Sequence, residues 1–276
     1  MNDSAQTLSA LRGRLAEGMA GGCASGHGFF VSGHGPLDAC LKGGFQRGQL
    51  HEVFADDAED SGSASGFAAM LGLCAMQPGK SMLWLRTLAA VRRGGRFNPA
   101  GFAELGGDPS TLLMAIAQDE TALLRCAADA LRCDGFGVVV IECRGSPAIL
   151  DLTASRRLTL AADHSGVTAV MLRLDAREQP STASTRWLVR SAPASPLEAG
   201  APGYPTLDLT LLRQRAGPAG REWKVEWDRD AKSFRLPSQV RHGIERSRRT
   251  TPLPGAVVPV PAIGQAMARA RARLIA

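Results

Sequence analysis

The sequence predicts an α/β fold: a mostly parallel sheet flanked by helices, with an antiparallel edge added by the C-terminal strands. Three observations carry this. Short apolar runs alternate with helical periodicities between Leu50 and Leu174, the order that builds parallel strands joined by crossovers. Val138, Val139, Val140 and Ile141 form an unbroken β-branched run, the pattern of a strand covered on both faces. Beyond Leu174, the strand-like segments Thr185–Arg190, Leu207–Arg215 and Trp223–Trp227 follow one another without long helices, which favours antiparallel neighbours.

Taken in order, Leu37–Gly48 is a turn-rich lead-in containing Gly43, Gly44 and Gly48, and Leu50–Ala55, closed by Asp56 and Asp57, is the first core strand. Ser61–Ser65 reads as a small-residue loop. Phe67–Met76 reads as a helix, with Phe67, Met70, Leu71 and Cys74 at helical spacing, until Pro78 and Gly79 stop it. Ser81–Leu85 and Thr111–Ile116 are further strands. Asp119–Cys133 is a helix with acids at its start, where the helix dipole favours them. Leu150–Ala162 returns to helix and Thr168–Leu174 to strand. This divides the chain into an N-terminal helix and linker (1–29), one domain (30–240), and a Pro/Arg-rich tail (241–276). The tail is expected to be disordered apart from a short terminal helix.

The chain has 276 residues and a net charge of +6, but the charge is not spread evenly. Residues 241–276 hold seven arginines against Glu245 alone, so residues 1–240 are formally neutral. Any DNA contact by simple electrostatics is therefore expected from the tail, through Arg246, Arg248, Arg249, Arg269, Arg271 and Arg273. The same arginines could instead dock an acidic protein surface. No apolar run reaches the roughly 20 residues of a membrane span, and the six cysteines show no zinc spacing. A cytoplasmic protein without metal or cofactor is expected, several of its cysteines sitting in apolar stretches as small buried hydrophobes.

A strand, a glycine-containing loop and a helix are the setting of a phosphate-binding loop. Here the segment is DDAEDSGSASGF, from Asp56 to Phe67. It has Gly62 and Gly66 but no lysine before Lys80, while Asp56, Asp57, Glu59 and Asp60 oppose a triphosphate; Ser61 is its first hydroxyl. Glu142 ends the VVVIE run, where an active nucleotide hydrolase keeps a carboxylate for magnesium or water. Without a lysine loop beside it, a solvent-facing strand terminator is the favoured expectation.

LDACLKGGFQRGQLHEVFA, Leu37 to Ala55, resembles the segment of RecA-type recombinases that leads into and forms the first core strand. LDLTASRRLTLAADHSGVTAVMLR (Leu150–Arg173), the TRW at Thr185–Trp187, LLRQRAG (Leu211–Gly217) and WKVEWD (Trp223–Asp228) are similar to the ImuA family. The resemblance spans roughly residues 30 to 235 and implies a RecA-like core that lacks the recombinase's ATPase. Such proteins accompany ImuB, a relative of Y-family polymerases, and an error-prone C-family polymerase in damage-inducible mutagenesis cassettes. The implied role is accessory to translesion synthesis, by contact with ImuB and with RecA. RecA carries a catalytic glutamate after its second strand, whereas Trp84–Thr87 contains no acid. Arg213 and Arg215 fall where RecA has basic residues that reach a neighbour's nucleotide.

Four further residues are candidate partner contacts: Arg156 and Arg157 on the Leu150–Ala162 helix, and Arg186 beside Trp187. Against each stands a plainer role, a solvated helix face for the first pair and core for the tryptophan. The leading expectation is a catalytically silent adaptor in SOS-induced, error-prone repair. A DNA-dependent ATPase with an unconventional phosphate loop and a damage-induced division inhibitor are the alternatives.

Overall fold

The structure, a computed structural model, describes residues 26–197, 201, 203–215 and 217–237. The predicted N-terminal helix and the basic tail, with its six candidate contact arginines, lie outside the described residues. The chain divides into Met1–Gln239 and Val240–Ala276, and everything below belongs to the first unit.

A nine-stranded mixed sheet organises this unit. In chain order its strands are β3 (Leu50–Ala55), β4 (Ser81–Thr87), β5 (Leu112–Ala117), β6 (Phe136–Arg144), β7 (Thr168–Leu174), β8 (Thr185–Ser191), β9 (Thr206–Gln214), β10 (Arg221–Asp228) and β11 (Ser233–Arg235). A preceding hairpin, β1 (Phe29–Phe30) with β2 (Phe45–Gln46), pairs by itself. The spatial order is β11-β10-β9-β8-β3-β7-β6-β4-β5. The strands from β8 to β5 run parallel, and β9, β10 and β11 add antiparallel partners. The expected parallel core with an antiparallel C-terminal edge is what forms.

The helices are α1 (Gly35–Cys40), α2 (Ser61–Ala75), α3 (Leu88–Gly94), α4 (Pro99–Glu104), α5 (Glu120–Ala130) and α6 (Leu152–Ser165). Alternation along β6 sends Val138 and Val140 into the core shared with Phe67 and Leu71 of α2, and Val139 and Ile141 into the core shared with Leu123 of α5 and Leu158 of α6. Asp119 and Asp151 start α5 and α6 by accepting the N–H of Ala122 and Ala154, each at 2.7 Å. Gly166, in the left-handed region, ends α6.

One prediction is corrected: Ser61–Ser65 is not a loop but the opening of α2. Its Ser/Gly composition has low helix propensity, and tertiary contact overrides it, since Ala64, Phe67, Ala68 and Leu71 are all buried. The cysteine reading also holds only in part. Cys143 is buried, but Cys126 and Cys133 are exposed. In the lead-in, Gly44 sits at φ +117, and a Cβ there would collide with the Phe30 carbonyl, so the hairpin requires glycine.

His51, fully enclosed, ties β3 to this hairpin. Its Nε2 lies 2.9 Å from the Gln46 carbonyl and its Nδ1 lies 2.8 Å from Thr185 Oγ1, which also accepts Trp187 Nε1–H at 2.8 Å. The arrangement fits a neutral ring that donates from Nε2 and accepts at Nδ1. Burial lowers its pKa to about 4. The unfolded chain thus binds a proton that the fold resists, so this contribution to stability is full above about pH 6.5 and is lost as pH falls toward 4. Wild-type protein is expected to lose on the order of 3 kcal/mol over that window by urea denaturation. His51→Gln should flatten that slope, and an unchanged slope would remove His51 as its origin.

Candidate functional site

The C-terminal ends of the parallel strands carry the site. The β3–α2 connection is only Asp56–Asp60, and three of its four acids are turned to structural use. Asp56 pairs with Arg190. Asp57 Oδ1 accepts the N–H of Glu59 at 2.8 Å and of Asp60 at 3.0 Å. Asp60 Oδ1 accepts Ser191 N–H at 2.6 Å, so it does not cap α2. The loop acids line no part of the cleft beside them, which the helix enters with Ser61, Gly62, Ser65 and Gly66.

Glu142 corrects the favoured expectation of a solvent-facing terminator. β6 continues past it to Arg144, and its carboxylate is buried. Arg86 Nη2 donates to Oε1 at 3.0 Å, Arg86 Nε lies 2.8 Å from Oε2, and Trp84 Nε1 donates to Oε2 at 3.1 Å. Arg144 Nε stands 3.8 Å from Oε1 while its Nη1 donates to Asp175 at 3.0 Å. Arg86 itself is fixed by the carbonyl of Gly95 at 2.8 Å. A guanidinium on β4 therefore occupies the neighbourhood where the sequence resemblance calls for a catalytic acid.

Around this pair opens a cleft of about 550 Å³, walled by α2, by α3 and α4, and by the ends of β4 and β6. It brings together the predicted Ser61, Gly62, Gly66 and Glu142. It also includes residues that were not singled out from sequence as site residues: Arg86, Arg93, Arg96, Arg144, Phe97 and Asp175. The signal available was the RRGGR run of residues 92–96, which has no periodicity of its own. No cluster of three or more histidine, cysteine or acidic residues suited to a metal occurs among the described residues.

The other candidates lie apart. Trp187 is wholly buried, packed with tilted ring contacts against Phe45, Phe67 and Trp223. Arg186 is buried too, with Nε donating to Glu52 at 2.8 Å and Nη1 to Glu178 at 3.0 Å. Neither is available to a partner on this surface, and both serve packing. Arg213 and Arg215 are exposed at the opposite end of the sheet from the Asp56–Asp60 loop, since Arg213 is opposite Arg186 at the start of β8. They donate to the carbonyls of Ser181 and Thr182, each at 2.7 Å. Arg156 and Arg157 are exposed on α6.

The ImuA proteins of two Caulobacter vibrioides strains, NA1000/CB15N and ATCC 19089/CIP 103742/CB 15, are each 30% identical to this chain over 211 residues. The match covers 71% of this chain and 76% of each relative. The chain belongs to the ImuA family. No family model matches this ImuA-family chain. In fold it is similar to the crystal structure of the RadB recombinase, with a TM-score of 0.54 and 17% identity, covering 76% of this chain and 100% of that one. The ImuA-family chain thus shares the fold of that recombinase, a mixed sheet flanked by helices. Among its described residues, no helix is long and apolar enough to cross a membrane.

Proposed function

We propose that this protein is a non-catalytic, RecA-like accessory factor in SOS-induced, error-prone repair, acting by binding an ImuB-like Y-family polymerase homologue, RecA, or both. The observation that carries the reading is the Arg86–Glu142 pair. A magnesium nucleotide needs a free carboxylate at this strand and cationic or N–H groups around the phosphates. Here the carboxylate is spent on Arg86 and Trp84, and a guanidinium stands beside it where the divalent ion would be repelled. The phosphate loop is five residues long and has no lysine. These residues do not fit the nucleotide that the fold family uses, and the reading routes no step through it. The C-family polymerase and DNA, through the tail arginines, are further contacts in this proposal.

The full chain is expected to co-purify with an ImuB-like partner from damage-induced cells and to give no heat with magnesium ATP in calorimetry. Repeating the capture without residues 241–276 reads the tail's share. A micromolar ATP affinity lost in Glu142→Ala would favour the ATPase alternative, and failure of both full-length and tail-deleted protein to capture the partner would defeat the adaptor.

A further inference from the structure

We propose that the arginine-lined cleft beside α2 is a docking site for the carboxylates of an acidic, apolar-bearing segment of a partner protein. Its lining holds four arginines against two carboxylates. Arg86 is committed to Glu142, and Arg144 lies between Glu142 and Asp175. Arg93 is different, being two-thirds exposed with Asp175 at 3.3 Å as its ion-pair partner. Arg96 makes no hydrogen bond or ion pair among the described residues. Two guanidiniums with unused donors therefore line a cleft whose inner arginines are already paired with carboxylates.

The cluster itself indicates which anion suits it. Its inner arginines bind carboxylates, Arg86 with Glu142 and Arg144 with Asp175, so an incoming Asp or Glu side chain extends an alternation the cleft already contains. A polyphosphate would bring several charges close to Glu142 and Asp175 without a site for the cation that usually accompanies it. The rest of the lining sets Ser61, Ser65 and Asn98 beside apolar residues. Phe97, partly buried, packs against Trp84 at 5.2 Å and Phe102 at 6.0 Å between ring centres, and offers a wall to a neighbouring hydrophobic side chain. Across from it, α2 keeps space open: a Cβ on Gly62 would meet nothing within 4 Å. Asp60's carboxylate is turned to Ser191, so it does not cap the first-turn N–H groups of α2. Arginine's planar fork suits carboxylate recognition, and a paired acid and apolar residue use both halves of the wall.

The partner as the source of these carboxylates rests on the adaptor reading; the chemistry of the cleft does not. The test is fluorescence anisotropy with a labelled synthetic peptide of alternating glutamate and phenylalanine, added to the full chain. Its glutamine counterpart is the control, and magnesium ATP and a single-stranded oligonucleotide are competitors. The glutamate peptide is expected to bind, the glutamine peptide about tenfold or more weaker, and Arg93→Ala/Arg96→Ala to lose about tenfold in affinity. Both side chains are exposed, so the variant should unfold at the wild-type midpoint. Arg125→Ala, in the separate groove between α5 and α6, should change nothing. Equal binding of the two peptides, an unaffected double variant, or displacement by oligonucleotide at lower concentrations than by unlabelled glutamate peptide would each overturn the proposal. Peptide binding with no capture of an ImuB-like partner would leave the cleft standing and defeat the adaptor. Capture that is unchanged in the double variant would do the reverse.

Discussion

Arg86→Met is expected to lower folding stability by about 3 kcal/mol, the low end of what removing one partner from a buried ion pair costs. The substitution keeps most of the side-chain volume, so the effect is electrostatic. Glu142 would be left charged inside the protein, with Trp84 Nε1–H as its remaining hydrogen bond. Arg144, at 3.8 Å, can compensate in part, but its guanidinium is shared with Asp175, which sets the expectation at the low end. Urea denaturation should show a lower midpoint with an unchanged slope. The companion variant is Arg86→Met/Glu142→Gln. Glutamine removes the charge but retains an acceptor for Trp84, whereas an apolar residue would strand that N–H. The double variant should recover most of the loss. If Arg86→Met alone stays within about 1 kcal/mol of wild type, Arg86 does not compensate a buried charge and the support it lends to the adaptor reading goes with it.

The elements that were readable from sequence were those whose local pattern and final burial agree. Thr168–Leu174, apart from Arg173, and the Val138–Ile141 run are apolar or β-branched and end up covered on both faces. The opening of α2 was not readable, because Ser-Gly-Ser-Ala-Ser-Gly has no local reason to be helical. It becomes so by propagation from the buried Phe67–Leu71 stretch and by the space that its small residues leave. The site shows the same division. Glu142 could be placed from its strand, but its partner Arg86 is 56 residues away, and Arg186 is 134 residues from Glu52. No local spacing rule links such pairs; only the strand order, which puts β4 beside β6 and β8 beside β3, brings them together. The short helices α3 and α4, which carry Arg93 and wall the cleft, are too short to leave a periodic signature.

Trp187→Ala is expected to be the most damaging single change considered, at about 3–5 kcal/mol. Trp187 is wholly buried on β8, with ring centres 5.4 Å from Phe45, 5.9 Å from Trp223 and 6.3 Å from Phe67. It therefore joins the β1–β2 hairpin, α2 and the antiparallel edge in one contact, and truncation leaves a cavity that three separate elements would have to collapse to fill. A loss of that size is a large fraction of ordinary domain stability. Trp187→Phe keeps one aromatic ring but loses the second ring of the indole and the hydrogen bond to Thr185 Oγ1, so it should cost less than alanine, about 1–3 kcal/mol. The pair of variants also separates core from interface. A partner anchor would cut capture while leaving the unfolding midpoint in place; a core residue lowers the midpoint and leaves capture per folded molecule unchanged, which is the expected outcome. Thr185 links Trp187 to His51, so water entering the alanine cavity would ease the desolvation that holds the imidazole pKa near 4. Trp187→Ala should accordingly show a weaker loss of stability between pH 6.5 and 4 than wild type, whereas an unchanged pH slope would mean that the cavity collapses dry.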